Sequence, residues 1–504
     1  MFYRSYRTIA WLAVLPLAIG SLQSSLRDDS FAPAHRLSGI GVDREQLTDA
    51  VLAKRAELMI EAQTFTIMRD PHALAGAQRI NSPKLQRIFE SAARTSGFPA
   101  STISAISYLE SWGDPRAESP AGPKGIMQIS SATARRMGLQ IVDATRYRIT
   151  TERALIHPKR GKPFYRAIHH KAAYTVRVRD DRLSPERAIP AAARYLSEME
   201  SKFGGRDLAV FSYHCGEGCV GEFLSLAHEA TGVKNHPITV PRIFFSCSPA
   251  YNADLYEAFK RHMERDYSPT YWFRVMRAEQ LLALYRKDPE AFEKLIADYR
   301  NAENPEQRAP HRLSVWLKPQ DESYRSGDEI RLDLGKKLAK AFDNPRLFGF
   351  TLRKGAGGIG EWDPANTESY LQASPSALGT LTYIAFETRR LHQAMKRKGE
   401  TFVPLVVTAL VRPVAYQERL ASREASIHTE LPDHGTGQVF DIDYSRLPAG
   451  ERECLDFILD DLGWDGYLGF VEEAANSNTL HIGCSPSSRE FFAEVFQEAL
   501  ASKR

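Results

Sequence analysis

Glu110 is the first residue in the chain whose position favours chemistry. It lies near the end of a predicted helix that begins at Ser101 and stops at Gly113, on the same face as Ile103 and Ile106. A carboxyl group that an apolar face partly removes from water has a raised pKa and can act as a general acid near neutral pH. The alternative interpretation is a solvated glutamate at a helix end, and the spacing alone leaves it open.

A loop with two glycines follows this helix and favours the first interpretation. Gly122 and Gly125 allow a bulky ligand to approach the backbone closely. Met127 and Gln128 then place a flexible apolar group beside an amide that both donates and accepts hydrogen bonds. This combination suits a sugar that carries N-acetyl groups, so we expect the loop to line a glycan site.

The order of these short motifs resembles the catalytic core of the lysozyme-like lytic transglycosylases, enzymes that cut the glycan strands of peptidoglycan. The shared motifs are ES at Glu110 and Ser111, SPAG at 119–122, GIMQ at 125–128, and TA at Thr133 and Ala134. Further along, Tyr213 retains the tyrosine of a tyrosine–asparagine pair in that family, and His214 replaces the asparagine. The resemblance implies that Glu110 is catalytic and that the sugar is contacted by Ser111, Met127, Gln128 and Tyr213.

The nearby acids shape the expected mechanism. Asp114 and Glu118 are the carboxylates closest to Glu110 in the chain, and neither matches a catalytic position of that family. Most glycosidases pair two carboxylates. A single one favours a scheme in which Glu110 protonates the glycosidic oxygen and then takes the proton from the 6-hydroxyl of muramic acid, which closes a 1,6-anhydro ring. A hydrolytic muramidase is the alternative function at the same residue.

A second candidate site lies in the C-terminal half. His434 and Asp441 stand seven residues apart across a turn that contains glycine, and Asp441 shares one face of the following strand with Val439 and Asp443. His481 lies in another short β-like run. Two histidines and one carboxylate from separate elements form the ligand set of a catalytic zinc site. The alternative is an aspartate pair that serves a turn or a salt bridge.

This half also resembles a family, the zinc D-alanyl-D-alanine carboxypeptidases and related cell-wall peptidases. The resemblance rests on Arg412-Pro413 with Gln417, on the pattern of His434, Gly437 and Asp441, and on the late His481. It implies that His434, Asp441 and His481 bind Zn²⁺ and that Arg412 and Gln417 contact a peptide. Asn478 stands where the general-base glutamate is expected, with Glu472 and Glu473 upstream, and Pro432 replaces a serine. A domain that only binds stem peptides is therefore an open alternative.

Composition and the N-terminus bound the wider function. The 504 residues carry a formal net charge of +4 and show no basic run of the kind that nucleic-acid-binding proteins use, so peptidoglycan is the expected partner and nucleic acid is not. No protein partner is indicated. Arg4 and Arg7 precede an apolar stretch over 9–19, which predicts a secretory signal too short to span a membrane. We expect an exported protein of the periplasm or cell envelope, with no stable membrane span after signal cleavage.

Cysteine usage follows from that expectation. Disulfides persist in exported proteins, and the chain has five cysteines. We expect pairing within the group Cys215, Cys219 and Cys247, and a second disulfide between Cys454 and Cys484. The odd count leaves at least one thiol without a partner inside the chain.

The predicted fold class is α+β with several domains. The predicted organisation is a signal peptide at 1–20, a lead-in at 21–80, an α-helical lysozyme-like domain at 81–248, a helical connector at 249–310, and an α+β zinc-peptidase-like domain at 311–500. The basic and aromatic segment 139–182 is either a flap that contacts substrate or a surface insertion. A non-catalytic cell-wall binding or scaffold protein with degenerate domains is the alternative from another functional class.

Overall fold

The computed structural model describes ten stretches of the chain. They are residues 47–229, 237–265, 268–300, 323–326, 349–354, 358–359, 367–395, 402–423, 433–472 and 479–501. The predicted signal peptide at 1–20 lies outside the described residues, as do Pro432, Glu473 and Asn478. Within these stretches, every helix is too short or too polar to cross a bilayer.

The first part of the chain is mainly helical. Its elements are α1 (Asp49–Ala62), α2 (Thr64–Met68), α3 (Ala73–Ile80), α4 (Pro83–Ser96), α5 (Ala100–Ser111), α6 (Ser131–Arg136), β1 (Ile141–Ile156), β2 (Phe164–Asp180), α7 (Pro185–Phe203), α8 (Arg206–Cys215), α9 (Glu217–Glu229), α10 (Val240–Ser246), α11 (Ala253–Arg265), α12 (Tyr271–Lys287) and α13 (Pro289–Arg300). This half of the chain is mainly helical, as predicted, and it also contains two long strands, β1 and β2.

The remaining elements alternate between strand and helix. They are β3 (Phe350–Leu352), α14 (Thr367–Tyr370), α15 (Pro375–Ala394), β4 (Leu405–Ala409), α16 (Val414–Arg423), β5 (Val439–Asp443), α17 (Ala449–Trp464), β6 (Leu468–Glu472), β7 (Thr479–Cys484) and α18 (Arg489–Ala501). A mixed α+β architecture is thus confirmed.

Two compact units result, and both are discontinuous in sequence. We call them the helical unit, Thr66–His214 with Arg274–Arg300, and the sheet unit, Met1–Phe65 with Cys215–Phe273 and Asn301–Arg504. Their limits differ from the predicted domain boundaries at 81, 248 and 311. The predicted lead-in contributes to both units, and so does the predicted connector.

The helical unit is built around α5. Along this helix most side chains are buried, and Ile103, Ala105, Ile106 and Tyr108 are completely so. Tyr108 donates a hydrogen bond of 2.9 Å to the carbonyl oxygen of Ala73 in α3. The helix begins at Ala100, with Pro99 at its N-cap, so the predicted start at Ser101 was one residue late. The chain then leaves the helix through left-handed backbone at Trp112 and Gly113.

Strands β1 and β2 form an antiparallel hairpin that belongs to the helical unit. Their register runs from Ile141 opposite Asp180 to Ile156 opposite Phe164. The hairpin base is tied to the loop after α5, because Arg182 donates to the carbonyl oxygens of Gly122 and Ile129, each at 3.2 Å. Segment 139–182 is therefore a hairpin whose base is hydrogen-bonded to that loop.

The sheet unit contains a five-stranded sheet in the order β3-β4-β5-β7-β6. Strands β3 and β4 are parallel, and the other neighbouring pairs are antiparallel. The predicted buried strand at 402–413 is present as β4, Leu405–Ala409. Helix α15 packs between the sheet and α18, where Gly379 is required because a Cβ there would lie 1.7 Å from the carbonyl oxygen of Phe492.

Helix α1 joins the sheet unit through a buried ion pair. The Arg55 side chain is completely buried and binds Asp465 through Nε at 2.6 Å and Nη2 at 2.7 Å, and Asp461 through Nη1 at 3.0 Å. The arginine and its partners lie about 410 residues apart in sequence. The segment expected to be an inert lead-in is therefore part of the sheet unit's core.

The predicted disulfides are absent, since all five cysteines are thiols. The sulfur of Cys454 lies 3.2 Å from the sulfur of Met395, just beyond the end of α15. The Cys484 thiol instead forms a hydrogen bond with Thr380, near the start of that helix. Fifteen residues of helix span about 22 Å, which is far beyond the ~4.4–6.8 Å between Cα atoms that a disulfide needs. Cys247 instead donates to the carbonyl oxygen of Phe244.

Candidate active site and candidate metal centre

Glu110 lies in the last turn of α5, and its side chain is 16% exposed. Ile103 and Ile106, on the predicted common face, are completely buried. The carboxyl group is thus held against an apolar interior and still reaches solvent. This is the environment that the spacing of the two isoleucines predicts.

Hydroxyl groups fix the GIMQ loop onto the two helices that flank it. Ser111 Oγ donates to the carbonyl oxygen of Ile126 at 2.8 Å, and Ser107 Oγ reaches the same oxygen at 3.3 Å. From α8, Tyr213 Oη donates to the carbonyl oxygen of Met127 at 2.8 Å. Ser111 is only 7% exposed. Its hydroxyl therefore holds the loop, and the sugar contact expected of Ser111 stays a prediction.

The loop residues themselves are more internal than the sequence suggested. Met127 is completely buried. Gln128 has left-handed backbone, with a φ of 45°, and its Nε2 donates to the carbonyl oxygens of Ala117 at 3.1 Å and Gly125 at 3.0 Å. Gly125 has a φ of 80°, and a Cβ there would lie 1.8 Å from the carbonyl oxygen of Arg182. Only glycine fits this position.

Tyr213 and His214 bring α8 to the Glu110 carboxyl. Burial, with the Glu110 charge next in importance, raises the pKa of Tyr213 well above its ordinary value, so the phenol remains a hydrogen-bond donor. His214 Nδ1 lies 3.9 Å from Glu110 Oε1. The residue that replaces the expected asparagine is therefore a direct neighbour of the Glu110 carboxyl.

The two carboxylates that follow Glu110 in the chain are engaged elsewhere. Asp114 accepts a hydrogen bond of 2.8 Å from the backbone N–H of Arg116. Glu118 lies on the surface and forms an ion pair of 2.8 Å with Lys124. That neither residue acts as a second catalytic carboxylate stays a prediction.

The candidate metal centre is assembled by strand register. Asp441 in β5 lies directly opposite His481 in β7, so the two side chains share one face of the sheet. His434 comes from the short 3₁₀ helix Asp433–Thr436 that precedes β5. Among the described residues, these three form the one group of histidine, cysteine or acid side chains suited to a metal ion, with ligand atoms within 4.8 Å of one another.

The hydrogen bonds within this group fit a bound cation. His434 Nδ1 lies 2.6 Å from the carbonyl oxygen of Leu410, which can only accept, so Nδ1 carries a proton. Burial lowers the pKa of His434 to about 4 and favours the neutral ring. Its Nε2 is then a lone-pair atom, and it lies 3.0 Å from Asp441 Oδ1. Two acceptors at this distance need a cation between them, either a proton or a metal ion.

Other groups around the cluster orient its members. Asp441 Oδ1 also lies 2.9 Å from His481 Nδ1, and the opposite ring atom, Nε2, lies 3.6 Å from Asp433. Carboxylates and carbonyl groups that hold the second nitrogen of a histidine are typical of metal sites. Asp433 and the Leu410 carbonyl are not among the site residues predicted from the sequence. The position of Asp433 directly before His434 was the available signal.

Of the two predicted peptide-binding residues, Arg412 contacts this cluster directly, whereas Gln417 is known by its burial in α16. Arg412 Nη2 binds Asp441 Oδ2 at 2.9 Å, so it contacts a predicted metal ligand. Burial acts against the charge of Asp441, but the charge of Arg412 and the hydrogen bond with His481 hold its pKa well below the usual range. Gln417 is buried, and its Oε1 has no hydrogen-bond partner among the described residues. Glu472 ends β6, next to the stretch that contains Asn478.

Comparison with known proteins bears on the helical half. Residues 87–159 and 166–234 match the family model of the transglycosylase SLT domain. The gap between the two matched segments falls at the turn of the β1–β2 hairpin. This match covers Glu110, the GIMQ loop and Tyr213, and it confirms the resemblance of the N-terminal part to lytic transglycosylases.

Individual relatives agree with that match. Over 135 residues the chain is 31% identical to peptidoglycan transglycosylase gp16 of Escherichia phage T7. The aligned stretch covers 27% of this chain and 8% of that protein. Over 167 residues it is 26% identical to membrane-bound lytic murein transglycosylase F 2 of Alkalilimnicola ehrlichii, 32% of this chain and 28% of the relative. A third, membrane-bound lytic murein transglycosylase F of Alcanivorax borkumensis, is 42% identical over 57 residues, 11% and 12% of the two chains. The chain thus spans less than a third of the length of each relative.

Proposed function

We propose that the helical unit cleaves the bond between N-acetylmuramic acid and N-acetylglucosamine in peptidoglycan and leaves a 1,6-anhydromuramic end. The observation that carries this proposal is the Glu110 carboxyl, mostly buried at the end of α5 and bordered by a loop held by Ser111 and Tyr213. The matched family model and the names of the three relatives support the same substrate.

The proposed reaction uses one carboxyl group twice. Glu110 gives its proton to the glycosidic oxygen as the bond to the anomeric carbon breaks, and the N-acetyl carbonyl of the same muramic acid stabilises that carbon. The Glu110 carboxylate then takes the proton of the 6-hydroxyl, whose oxygen attacks the anomeric carbon and closes the ring. Glu110 ends the cycle protonated, and no water is consumed. The engagement of Asp114 and Glu118 elsewhere supports this scheme over one with two carboxylates.

The test is the chemical nature of the new glycan ends. Purified full-length protein is incubated with peptidoglycan sacculi, and the released fragments are identified by mass spectrometry. We expect anhydromuramic ends. Reducing muramic acid ends would reject the transglycosylase reaction in favour of a hydrolytic muramidase, and intact sacculi would support a non-catalytic binding protein.

We also propose that the protein is exported and works in the periplasm or cell envelope. The predicted signal at 1–20 and the peptidoglycan substrate support this location, and two of the relatives are named as membrane-bound murein enzymes. Fusion of residues 1–20 to a reporter that is active only after export would test it. A reporter that stays inactive would reject the signal.

A second proposed function concerns the sheet unit, where His434, Asp441 and His481 would hold Zn²⁺. The opposed lone pairs of His434 and Asp441 are the observation that favours it. A zinc ion supplies a Lewis acid that polarises a peptide carbonyl and lowers the pKa of a bound water. Arg412, which contacts Asp441, and Gln417, whose Oε1 is buried without a partner, would orient the stem peptide at this site.

Whether this unit cleaves or only binds stem peptides depends on a general base. Asn478 stands at the position expected for glutamate, and Glu472, at the end of β6, is the described carboxylate nearest to it in sequence. We therefore propose stem-peptide binding as the basic role of the unit, with carboxypeptidase turnover only if Glu472 or Glu473 supplies the base.

Metal analysis of the full-length protein tests the site independently of activity. Wild type should hold about one zinc ion per chain after dialysis, and Asp441→Ala should lose most of it. Asp443→Ala is a matched control on the same strand, since Asp443 pairs with Arg353 and Arg446. Stoichiometric zinc in Asp441→Ala would reject these ligands.

A further inference from the structure

Exposed large apolar side chains are concentrated on one element of the protein, the β1–β2 hairpin. Ten such side chains occur among the described residues, and eight of them are Val142, Tyr147, Ile149, Leu155, Phe164, Tyr165, Tyr174 and Val178. The other two, Leu183 and Val403, are the least exposed of the ten, and they lie far from each other in the chain. A soluble surface scatters such residues singly, so a cluster marks an interaction site.

The three most exposed members, Tyr165, Ile149 and Tyr147, share one face of the hairpin with Leu155, and Phe164 and Tyr174 lie on the other face. Tyr147, Ile149 and Leu155 are separated by even numbers of residues, and Tyr165 lies directly opposite Leu155. Tyr165 is 67% exposed, Ile149 is 65% exposed and Tyr147 is 57% exposed. We call these four residues the apolar face. Two-stranded hairpins are marginally stable alone in water, so a partner that covers this face would also stabilise the hairpin.

The same segment is strongly basic. Residues 141–180 contain ten lysines and arginines, all exposed, and three acids, a net charge of +7 in a chain whose total is +4. Asp143 pairs with Arg177, Glu152 lies 3.5 Å from His170, and Asp180 pairs with Arg182 at the base. The acids are thus matched locally, and the surplus charge of the hairpin is positive along its length of about 50 Å.

We infer that the hairpin docks on an anionic lipid bilayer and lies on its surface with the apolar face toward the acyl chains. Cations near an anionic bilayer are attracted by its surface potential, while tyrosine and aliphatic side chains enter the headgroup boundary. Lys171, opposite Ile149 and 4.0 Å above the Tyr147 ring, places its charge beside the apolar face.

Other partners fit this composition less well. A polyanionic glycan or a nucleic acid uses cations and aromatic rings but gains little from Ile149 and Leu155, which a bilayer solvates directly. A second copy of the hairpin would bring two segments of charge +7 together and would be opposed by repulsion. The bilayer is the partner that satisfies both the charge and the aliphatic side chains.

The attachment of the hairpin gives this docking a consequence for the Glu110 site. The Arg182 side chain is 1% exposed and donates to the carbonyl oxygens of Gly122 and Ile129, which border the GIMQ loop. Asp181 accepts from the backbone N–H of Gln140 and also binds Arg179. A bilayer-bound hairpin therefore holds the helical unit, with its carboxyl site, at a set orientation to the membrane.

Vesicle co-sedimentation of the full-length protein tests the inference. The bound fraction should be at least ~10-fold higher on vesicles of phosphatidylcholine with phosphatidylglycerol than on phosphatidylcholine alone, and it should fall with salt. The double variant Ile149→Ser/Tyr165→Ser should lower binding to anionic vesicles at least ~10-fold. The matched control is Leu183→Ser/Val403→Ser, which changes the two exposed apolar residues outside the hairpin and should bind as wild type.

Hydrogen exchange of the hairpin amides in Ile149→Ser/Tyr165→Ser shows whether the strands remain paired. The charge variant Arg153→Gln/Lys171→Gln gives a second test, because it removes positive charge without loss of apolar surface. Equal binding to both vesicle types, or an unaffected Ile149→Ser/Tyr165→Ser variant, would overturn the inference. So would hairpin-dependent binding to lipid-free sacculi, or hairpin-dependent dimerisation in analytical ultracentrifugation, without vesicle binding. None of these results depends on glycan cleavage, so the proposed function is tested separately.

Discussion

The Glu110 site and the His434 cluster are assembled in different ways. Glu110 and the loop that borders it come from one stretch, 107–128, and two adjacent residues of α8, Tyr213 and His214, complete the arrangement. The His434 cluster takes one residue from a 3₁₀ helix, one from β5 and one from β7. The first site is local in sequence, whereas the second exists only when two strands pair in the correct register.

This difference explains how each site tolerates change. In the helical unit, hydroxyl groups hold the backbone of the loop, so Ser111 and Tyr213 act through carbonyl oxygens. In the sheet unit, side chains hold one another, and Asp441 contacts His434, His481 and Arg412 at once. Loss of a residue from the first site alters one contact, while loss of Asp441 leaves three charged or polar groups without their common partner.

The largest expected effect separates the two sites functionally. Glu110→Gln keeps the shape of the side chain but removes its proton, so glycan cleavage should fall by about 10²–10⁴-fold, with the zinc content unchanged. Cleavage is measured as release of soluble fragments from sacculi. Glu118→Gln is the matched control, because Glu118 is exposed and paired with Lys124. A fully active Glu110→Gln protein would show that the carboxyl group is not catalytic.

The next effect concerns the sheet unit and the segment once expected to be a lead-in. Arg55→Ala leaves Asp461 and Asp465 buried without their cation, which should destabilise the unit by about 3–5 kcal/mol. Hydrogen exchange should show faster exchange of the amides in α1 and α17. The exposed Glu57→Ala variant of the same helix serves as control. Unchanged exchange in Arg55→Ala would refute the anchoring role of this helix.

A pH effect is also expected in the sheet unit. Burial raises the pKa of Glu451 to about 7, above its ordinary value of 4.5, although Oε2 accepts from the backbone N–H of Val403. The protonated form therefore favours folding, and this contribution is full below pH 4.5 and lost as the pH rises through 7. The difference in unfolding free energy between Glu451→Gln and wild type should therefore change with pH. Between pH 4 and pH 8 it should shift in favour of the variant by about 1–3 kcal/mol.

The measurement is urea unfolding of both proteins at the two pH values, with hydrogen exchange in α17 as the local readout. The exposed acid Glu494, changed to glutamine, provides the control and should leave the pH dependence unaltered. Parallel pH profiles for wild type and Glu451→Gln would contradict the expected titration.

The smallest effect tests whether Ser111 holds the loop or contacts the sugar. Ser111→Ala removes the hydrogen bond to the Ile126 carbonyl while Ser107 remains near, so the cost should be about 1 kcal/mol of stability. Because the hydroxyl faces the protein, the KM for glycan should stay close to the wild-type value. A large rise in KM with unchanged stability would restore the sugar contact that the sequence predicts.

The local parts of the structure could be predicted from the sequence. Ile103, Ile106 and Glu110 lie on one face because helical period alone decides it, and Val439, Asp441 and Asp443 follow the period of a strand. The buried strand β4 follows from its continuous apolar run. Each of these inferences depends on interactions within about ten residues, where backbone geometry leaves few alternatives.

Other features required contacts that no local pattern contains. Segment 139–182 alternates too weakly to define its pairing, and only the structure shows the hairpin from Ile141 opposite Asp180 to Ile156 opposite Phe164. The cysteines were predicted to pair from compartment and count, but α15 separates Cys454 from Cys484. Met127, expected to line the site, is instead completely buried.

By itself the sequence determined the chemical types at both sites: a carboxyl group on an apolar helix face, and a carboxylate with two histidines on β-like segments. Only the tertiary structure decided which atoms meet, such as His434 Nε2 facing Asp441 Oδ1, Ser111 turned toward the Ile126 carbonyl, and Arg55 paired with Asp461 and Asp465. The physical reason is distance along the chain. Periodicity sets the direction of a side chain within one element, whereas its partner across hundreds of residues is selected by packing and by the need to satisfy every buried charge.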